Sequence, residues 1–455
     1  MNFANYARMM GAFALTRYGL RFDDRASFER WQARRLNAFI RARLKPVSFY
    51  RDRSCCELDE LPVVDKAFTV QRFAAFNTHG ITFETALAAA RASEESRALP
   101  SHFDPNLTAG LSSGTSGRPS VFLASAAERA TWAGVILART LDRDLLTLLV
   151  TRAKPLRVAF FLRANSSLYR TLHSRRIDFR FFDLQAGAHA HIDSLTGFKP
   201  EVLVAPASVL GWLAGQARQG RLRLSPRKVI SVAEVLEPDD ETLIREAWQT
   251  PVHQLYQCTE GFLGYTCSHG TLHLNEEFVH VEPEWLDAAR TRFVPVITDF
   301  TRHTQLFVRY RLDDILRVRA TPCQCGRVTI ALDAIEGRCD DVLWLPSRKT
   351  GSLLPLFPDS VRRAIARCGP SVEDYSLVQH GGTLSLAVQG PDTAFASAQH
   401  ALNNMIASQG MLSLPWRRAV HEIRSPAVKR RRIVCATKPS VDIESLNSIA
   451  GIHET

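Results

Sequence analysis

The chain has 455 residues, 45% of them hydrophobic and 23% charged, and a formal net charge of +11. This composition excludes a fibrous or disordered protein and gives length for more than one domain, while no apolar run reaches the roughly 18 residues of a membrane span. Nine cysteines at irregular spacing exclude a secreted disulfide framework and point to a reducing, cytoplasmic compartment.

The opening MNFANYARMMGAFALTRYGLRF is interrupted by Arg8 and Arg17 and lacks a small-residue cleavage site, so it predicts a helix rather than a leader. Apolar residues at helical spacing, as in FERWQARRLNAFIRARL, predict helices through about residue 100. Next comes Ser112, Ser113, Gly114, Thr115, Ser116 and Gly117. Two glycines and four hydroxyls can wrap an anion with N–H and O–H donors, or form a plain polar turn between strands.

Beyond a helical stretch, AAERATWAGVILARTLDRDLLTLL, the texture alternates. The runs LRVAFFL, DFRFFDL, EVLVAPAS, KVISVAEVL and PVHQLYQCTEG read as strands separated by helical segments, which predicts a parallel sheet with ligands beyond the strand carboxyl ends. From about 265 to 335, short extended runs such as LHLNEEFVHVE and QLFVRYRL predict an antiparallel β subdomain. After EGRCDDVLWL a helix, a hairpin at Gly381–Gly382, a second helix and a strand at RRAVHEI form a compact α+β module. The expectation is an α/β protein with a large N-terminal domain, 1–339, and a small C-terminal domain, 340–455.

In order, SSGTSGRP, SVAEVLEP, YQCTEG, RYRLDDI, EGRCDDVLWL and VKRRRIV resemble the motif set of the adenylate-forming superfamily. CSHGTLHLNEEFVHVE and PCQCGR bring the chain nearest to the phenylacetate:CoA ligase branch and its adenylate-forming relatives. The resemblance spans about residues 25 to 435. It implies activation of a carboxylic acid, aryl or arylacetic, by ATP and Mg²⁺ to an acyl-adenylate, then transfer to a thiol such as CoA. Transfer to an acyl carrier protein or an amine is the alternative, and members of the branch are often homodimers.

By the same resemblance Ser112 to Gly117 cradle the β and γ phosphates, and Tyr256 lies against adenine bordered by Ala233 and Glu234. Thr259 contacts the α-phosphate and Glu260 holds Mg²⁺. Asp314 accepts from the ribose hydroxyls with Arg338 beside it. Asp340 is the hinge of a mobile C-terminal domain, and Lys429 is the mobile catalytic lysine. The chain departs from the pattern at Ser120, at Gln257, at Asp313 and in having no Gly before Lys429. Those departures and the basic surplus support the rival reading, a non-catalytic nucleotide- or nucleic-acid-binding protein on the same fold. Against nucleic acid, positive charge is spread along the chain apart from Lys429 to Arg432, without interleaved aromatics.

Cys267, His273, Cys323 and Cys325, with His269 as a competing fourth ligand, offer thiolates and an imidazole from two extended segments. They predict a closed tetrahedral zinc site, with reduced unliganded cysteines as the alternative.

Overall fold

Helices dominate the described residues up to Ser96, because apolar positions fall on one face and several starts are capped. In Arg25–Arg43 the buried residues include Phe28, Leu36, Phe39 and Ile40, and the Asp24 side chain accepts from the Ser27 amide at the N-terminus. The computed structural model describes residues 2–53, 56–96, 103–111, 120–162, 174–184, 187–421 and 431–437. The chain divides into two compact units, Met1–Leu312 with Leu316–Ala334, and Asp313–Ile315 with Ile335–Thr455.

In the first unit, strands Leu107–Leu111 and Val121–Ser125 pair antiparallel, Leu111 opposite Val121. The Ser/Gly stretch lies between them in sequence, and its residues 112–119 are outside the described residues. Gly110 is required here, since a Cβ would come 2.4 Å from the Phe122 ring. The long helical stretch that follows is two helices, Ala126–Thr140 and Arg143–Thr151. Asp142 breaks it by capping the second through its side chain, which accepts from the Leu145 amide.

A mixed sheet of twelve strands follows. Its parallel half runs Ile177–Asp183, Leu156–Leu162, Val202–Pro206, Lys228–Val232, Val252–Gln257 across the sheet. In chain order these five are second, first, third, fourth and fifth, a doubly wound arrangement. The middle strands Val202–Pro206 and Lys228–Val232 are buried on both faces and read as continuous apolar runs, whereas Ile177–Asp183, Leu156–Leu162 and Val252–Gln257 are only partly buried and carry polar residues. Helices Ala207–Arg218 and Pro238–Trp248 bury Val209, Leu210, Leu213, Ile244 and Trp248 against Leu203, Ala205 and Val229.

The antiparallel run extends this same sheet: beyond Val252–Gln257 come Phe262–Thr266, Leu272–Leu274, Ala331–Arg338, Asp314–Val318, Arg292–Asp299 and Val279–Trp285, with Tyr310–Arg311 paired to Arg292–Asp299. Among the described residues no helix is long and apolar enough to cross a membrane.

The second unit holds a four-stranded sheet ordered Trp416–Arg418, Thr383–Gln389, Asp374–His380, Ile433–Thr437, with helices Pro358–Ala366 and Asp392–Ser408. Its core is Val361, Ile365, Leu377, Leu384, Leu386, Leu402 and Ile406. The strand expected over RRAVHEI is confined to Trp416–Arg418. Its Arg417 and Arg418 are exposed, and the expected residues 422 and 423 lie outside the described residues.

Candidate active site

The carboxyl ends of Val202–Pro206, Lys228–Val232 and Val252–Gln257 are adjacent because the strands are neighbours in parallel. At the middle end Ala233 has φ +66°, and the Glu234 amide donates to the Val232 carbonyl at 2.8 Å. This is a three-residue γ-turn with a positive central φ, a rare and strained conformation for a residue with a Cβ. The turn aims the Glu234 carboxylate at the neighbouring strand end, where it accepts from the Ser208 amide at 2.9 Å in the first turn of Ala207–Arg218.

Val252–Gln257 ends in an irregularity between Tyr256 and Gln257, and Cys258 to Gly261 fold tightly, the Cys258 amide donating to the Gly261 carbonyl at 3.0 Å. Tyr256 is buried. Glu260 is also buried, at 8% exposure; the Thr259 hydroxyl donates to its Oε2 at 2.7 Å and the Tyr310 hydroxyl to its Oε1 at 3.2 Å. Burial and the Glu260 carboxylate push the Tyr310 phenol well above its ordinary range, so it stays a donor.

A set of groups that sequence reasoning passed over supports this turn. Arg302, fully buried, donates from Nη2 to the Thr259 carbonyl and faces Asp299, with the Trp132 and Phe307 rings 4.1 and 5.0 Å from its guanidinium. Burial pushes the Asp299 carboxyl up to about 6, opposed by Arg302. Glu128 accepts from the His303 and Thr304 amides and from Ser125, and lies within the electrostatic reach of Arg302. Gly261 is part of the same packing, for a Cβ there would sit 2.8 Å from Asp299 Oδ2. The readable signal was an Asp closing the apolar strand FVPVITD and a Ser-x-x-Glu capping box at Ser125 to Glu128.

In the second unit the Arg338 Nε lies 3.8 Å from Asp314 Oδ1. Asp340 sits in the short turn Cys339–Asp341, its Oδ2 2.9 Å from Arg431, which also pairs with Asp341. Burial pushes the Asp341 carboxyl up despite that guanidinium. Ser112 to Gly117 and Lys429 lie outside the described residues.

The ligand atoms of Cys267, His273, Cys323 and Cys325 all lie within 4.8 Å of one another. His269 is not among them: it is exposed within the tight turn that follows Cys267, its Nδ1 is 3.2 Å from the Ser268 hydroxyl, and only its amide reaches Cys267 Sγ, at 3.4 Å.

No family model and no curated protein matches this chain. Among solved structures, 2-hydroxyisobutyryl-CoA ligase in its postadenylation state with 2-HIB-AMP aligns over 98% of this chain and 91% of its own, with a TM-score of 0.59 at 17% identity. An open conformation of that ligase with 2-HIB-AMP and CoA aligns over 90% of each chain, with a TM-score of 0.51 at 17% identity. At such identity the likeness speaks for architecture: the chain has the fold of the adenylate-forming ligases.

Proposed function

We propose that the protein activates a carboxylic acid with ATP and passes the acyl group to a thiol, with CoA the first acceptor to test. A carboxylate oxygen attacks the α-phosphorus of ATP, the bond to pyrophosphate breaks, and a mixed anhydride with AMP forms. The thiol then attacks the acyl carbon, AMP leaves and the thiol proton goes to solvent. The observation that carries this reading is Glu260, buried and held by two hydroxyls at the carboxyl edge of the doubly wound half of a ligase fold.

The donor set fits Mg²⁺: each Glu260 oxygen accepts one side-chain hydroxyl and keeps a lone pair for a hard cation. When bound, the ion supplies charge neutralisation at the phosphates. Thr259 donates its hydroxyl to the α-phosphate, exchanging the contact it now makes with Glu260. Ser112 to Gly117 hold the outer phosphates, Tyr256 with Ala233 and Glu234 borders the base, and Asp314 with Arg338 binds the ribose. Lys429 offsets the charge that develops as the carboxylate approaches, and Asp340 lies at the hinge between two arrangements of the C-terminal unit.

The acid is proposed to be aryl or arylacetic. Its pocket is proposed to lie near VAPASVLGWL and YQCTEGF, where the sequence supplies apolar and aromatic walls; of the first stretch, Val209, Leu210 and Leu213 belong to the core. Pyrophosphate exchange into ATP across a panel of aryl, arylacetic and short hydroxy acids tests the whole. Exchange with one class assigns the acid, and Glu260→Gln should lower it by about 10²- to 10³-fold. A protein that binds neither ATP nor AMP and exchanges with no acid overturns the proposal. Adding CoA, a holo carrier protein or an amine to the competent mixture then identifies the acceptor.

A further inference from the structure

We propose that Cys267, His273, Cys323 and Cys325 hold one zinc ion in a closed, structural Cys₃His site. The four residues come from two places in the first unit. Cys267 opens the turn after strand Phe262–Thr266, and His273 lies on the next strand, fully buried. Cys323 and Cys325 lie on a second tight turn, where the Gly326 amide donates to the Cys323 carbonyl at 3.3 Å and Gly326 has φ +72°. The first turn is built alike: the Gly270 amide donates to the Cys267 carbonyl at 3.1 Å, and Gly270 has φ +78°.

The spacing suits the metal. Zinc–sulfur bonds of about 2.3 Å at tetrahedral angles put two sulfurs about 3.7 Å apart, and Cys267 Sγ lies 3.7 Å from Cys323 Sγ. The imidazole Nε2 is 3.3 Å from Cys325 Sγ, while the opposite ring nitrogen, Nδ1, is 3.3 Å from the Thr329 carbonyl. The Thr329 hydroxyl lies at the same 3.3 Å and can accept as the carbonyl does, so with the proton on Nδ1 both contacts are satisfied and Nε2 presents its lone pair to the sulfurs. That is the tautomer a metal-bound histidine takes when a carbonyl fixes its far side. The Cys267 sulfur also receives the His269 amide at 3.4 Å, a contact that favours a thiolate there.

Three sulfurs and one imidazole match a borderline-soft tetrahedral ion, and four protein ligands leave no position for water or substrate. The ion therefore holds structure rather than reacting. What it holds is the stretch between strands Asp314–Val318 and Ala331–Arg338, which forms no regular element of its own and carries Cys323 and Cys325. This proposal is independent of the ligase reading, because its readout is metal and not turnover.

Full-length protein expressed with zinc in the medium and purified without chelator should carry about one zinc per chain by elemental analysis. Cys323→Ser and Cys325→Ser should each drop this to near zero, while Cys368→Ser, in the second unit, should retain it. Cobalt exchanged into the wild type should show the strong visible absorption of tetrahedral thiolate coordination, which gives a readout should the variants misfold. Wild-type protein without zinc that also fails to take up cobalt would overturn the site, as would full zinc retention in Cys325→Ser.

Discussion

Arg302 shows how a single buried cation sets the geometry of a turn it does not belong to. It bonds the Thr259 carbonyl, faces Asp299 and is covered by the Trp132 and Phe307 rings. A guanidinium can do this because its planar fork holds its donors in fixed directions while its face stacks on aromatic rings, whereas an ammonium is a compact point charge. Arg302→Lys should therefore destabilise the protein by about 3 kcal/mol in denaturant titration, since part of the buried acceptor set loses its donor. It should also weaken nucleotide binding, measured by calorimetry, more than overall stability explains. Gly261→Ala should act on the same packing from the other side by driving a methyl into the Asp299 carboxylate. Ala233→Gly makes the opposite prediction: it relieves a positive φ and should leave the fold intact or slightly more stable.

At the scale of elements, period and turn chemistry made most of the first unit legible. Val202–Pro206 and Lys228–Val232 read as apolar runs because they are buried on both sides, and the helices around them read from spacing and caps. Sequence alone did not show that the antiparallel strands join the same sheet, because strand order depends on which edges meet and not on alternation within a strand. It also missed Glu128 as a tie between elements. A capping box announces a helix start, but nothing local announces that the same carboxylate accepts from His303 and Thr304, some 175 residues away. Glu128→Gln keeps the shape and loses the charge that these donors and Arg302 share, and should cost about 1 to 3 kcal/mol in thermal or denaturant unfolding.

For the whole molecule, buried titratable groups set how stability responds to acid. Burial, with Lys228 nearby, lowers His253 to about 4, and burial with Arg25 and Arg309 lowers His280 to about 4. Between pH 6.5 and 4 the unfolded chain binds these protons and the folded chain does not, so stability falls as pH falls, by at most about 1.4 kcal/mol per pH unit for each histidine. Asp299 works against this: its folded-state value is raised from 3.8 to about 6, so in that window the folded chain holds a proton the unfolded one has released. Asp299→Asn should accordingly show a steeper loss of unfolding free energy between pH 6 and 4 than the parent, and a parallel slope would refute the assignment.

Strand order carries one more consequence. Ala331–Arg338 is the last strand of the large sheet in the chain, yet it lies between Leu272–Leu274 and Asp314–Val318, both of which precede it. During synthesis the two flanking halves of that sheet emerge with no hydrogen-bonded seam to join them. They must wait, each with an open edge, until this late strand threads between and locks them into one surface. A chain truncated just short of residue 331 would thus be an unfinished arch, with every stone present but its keystone.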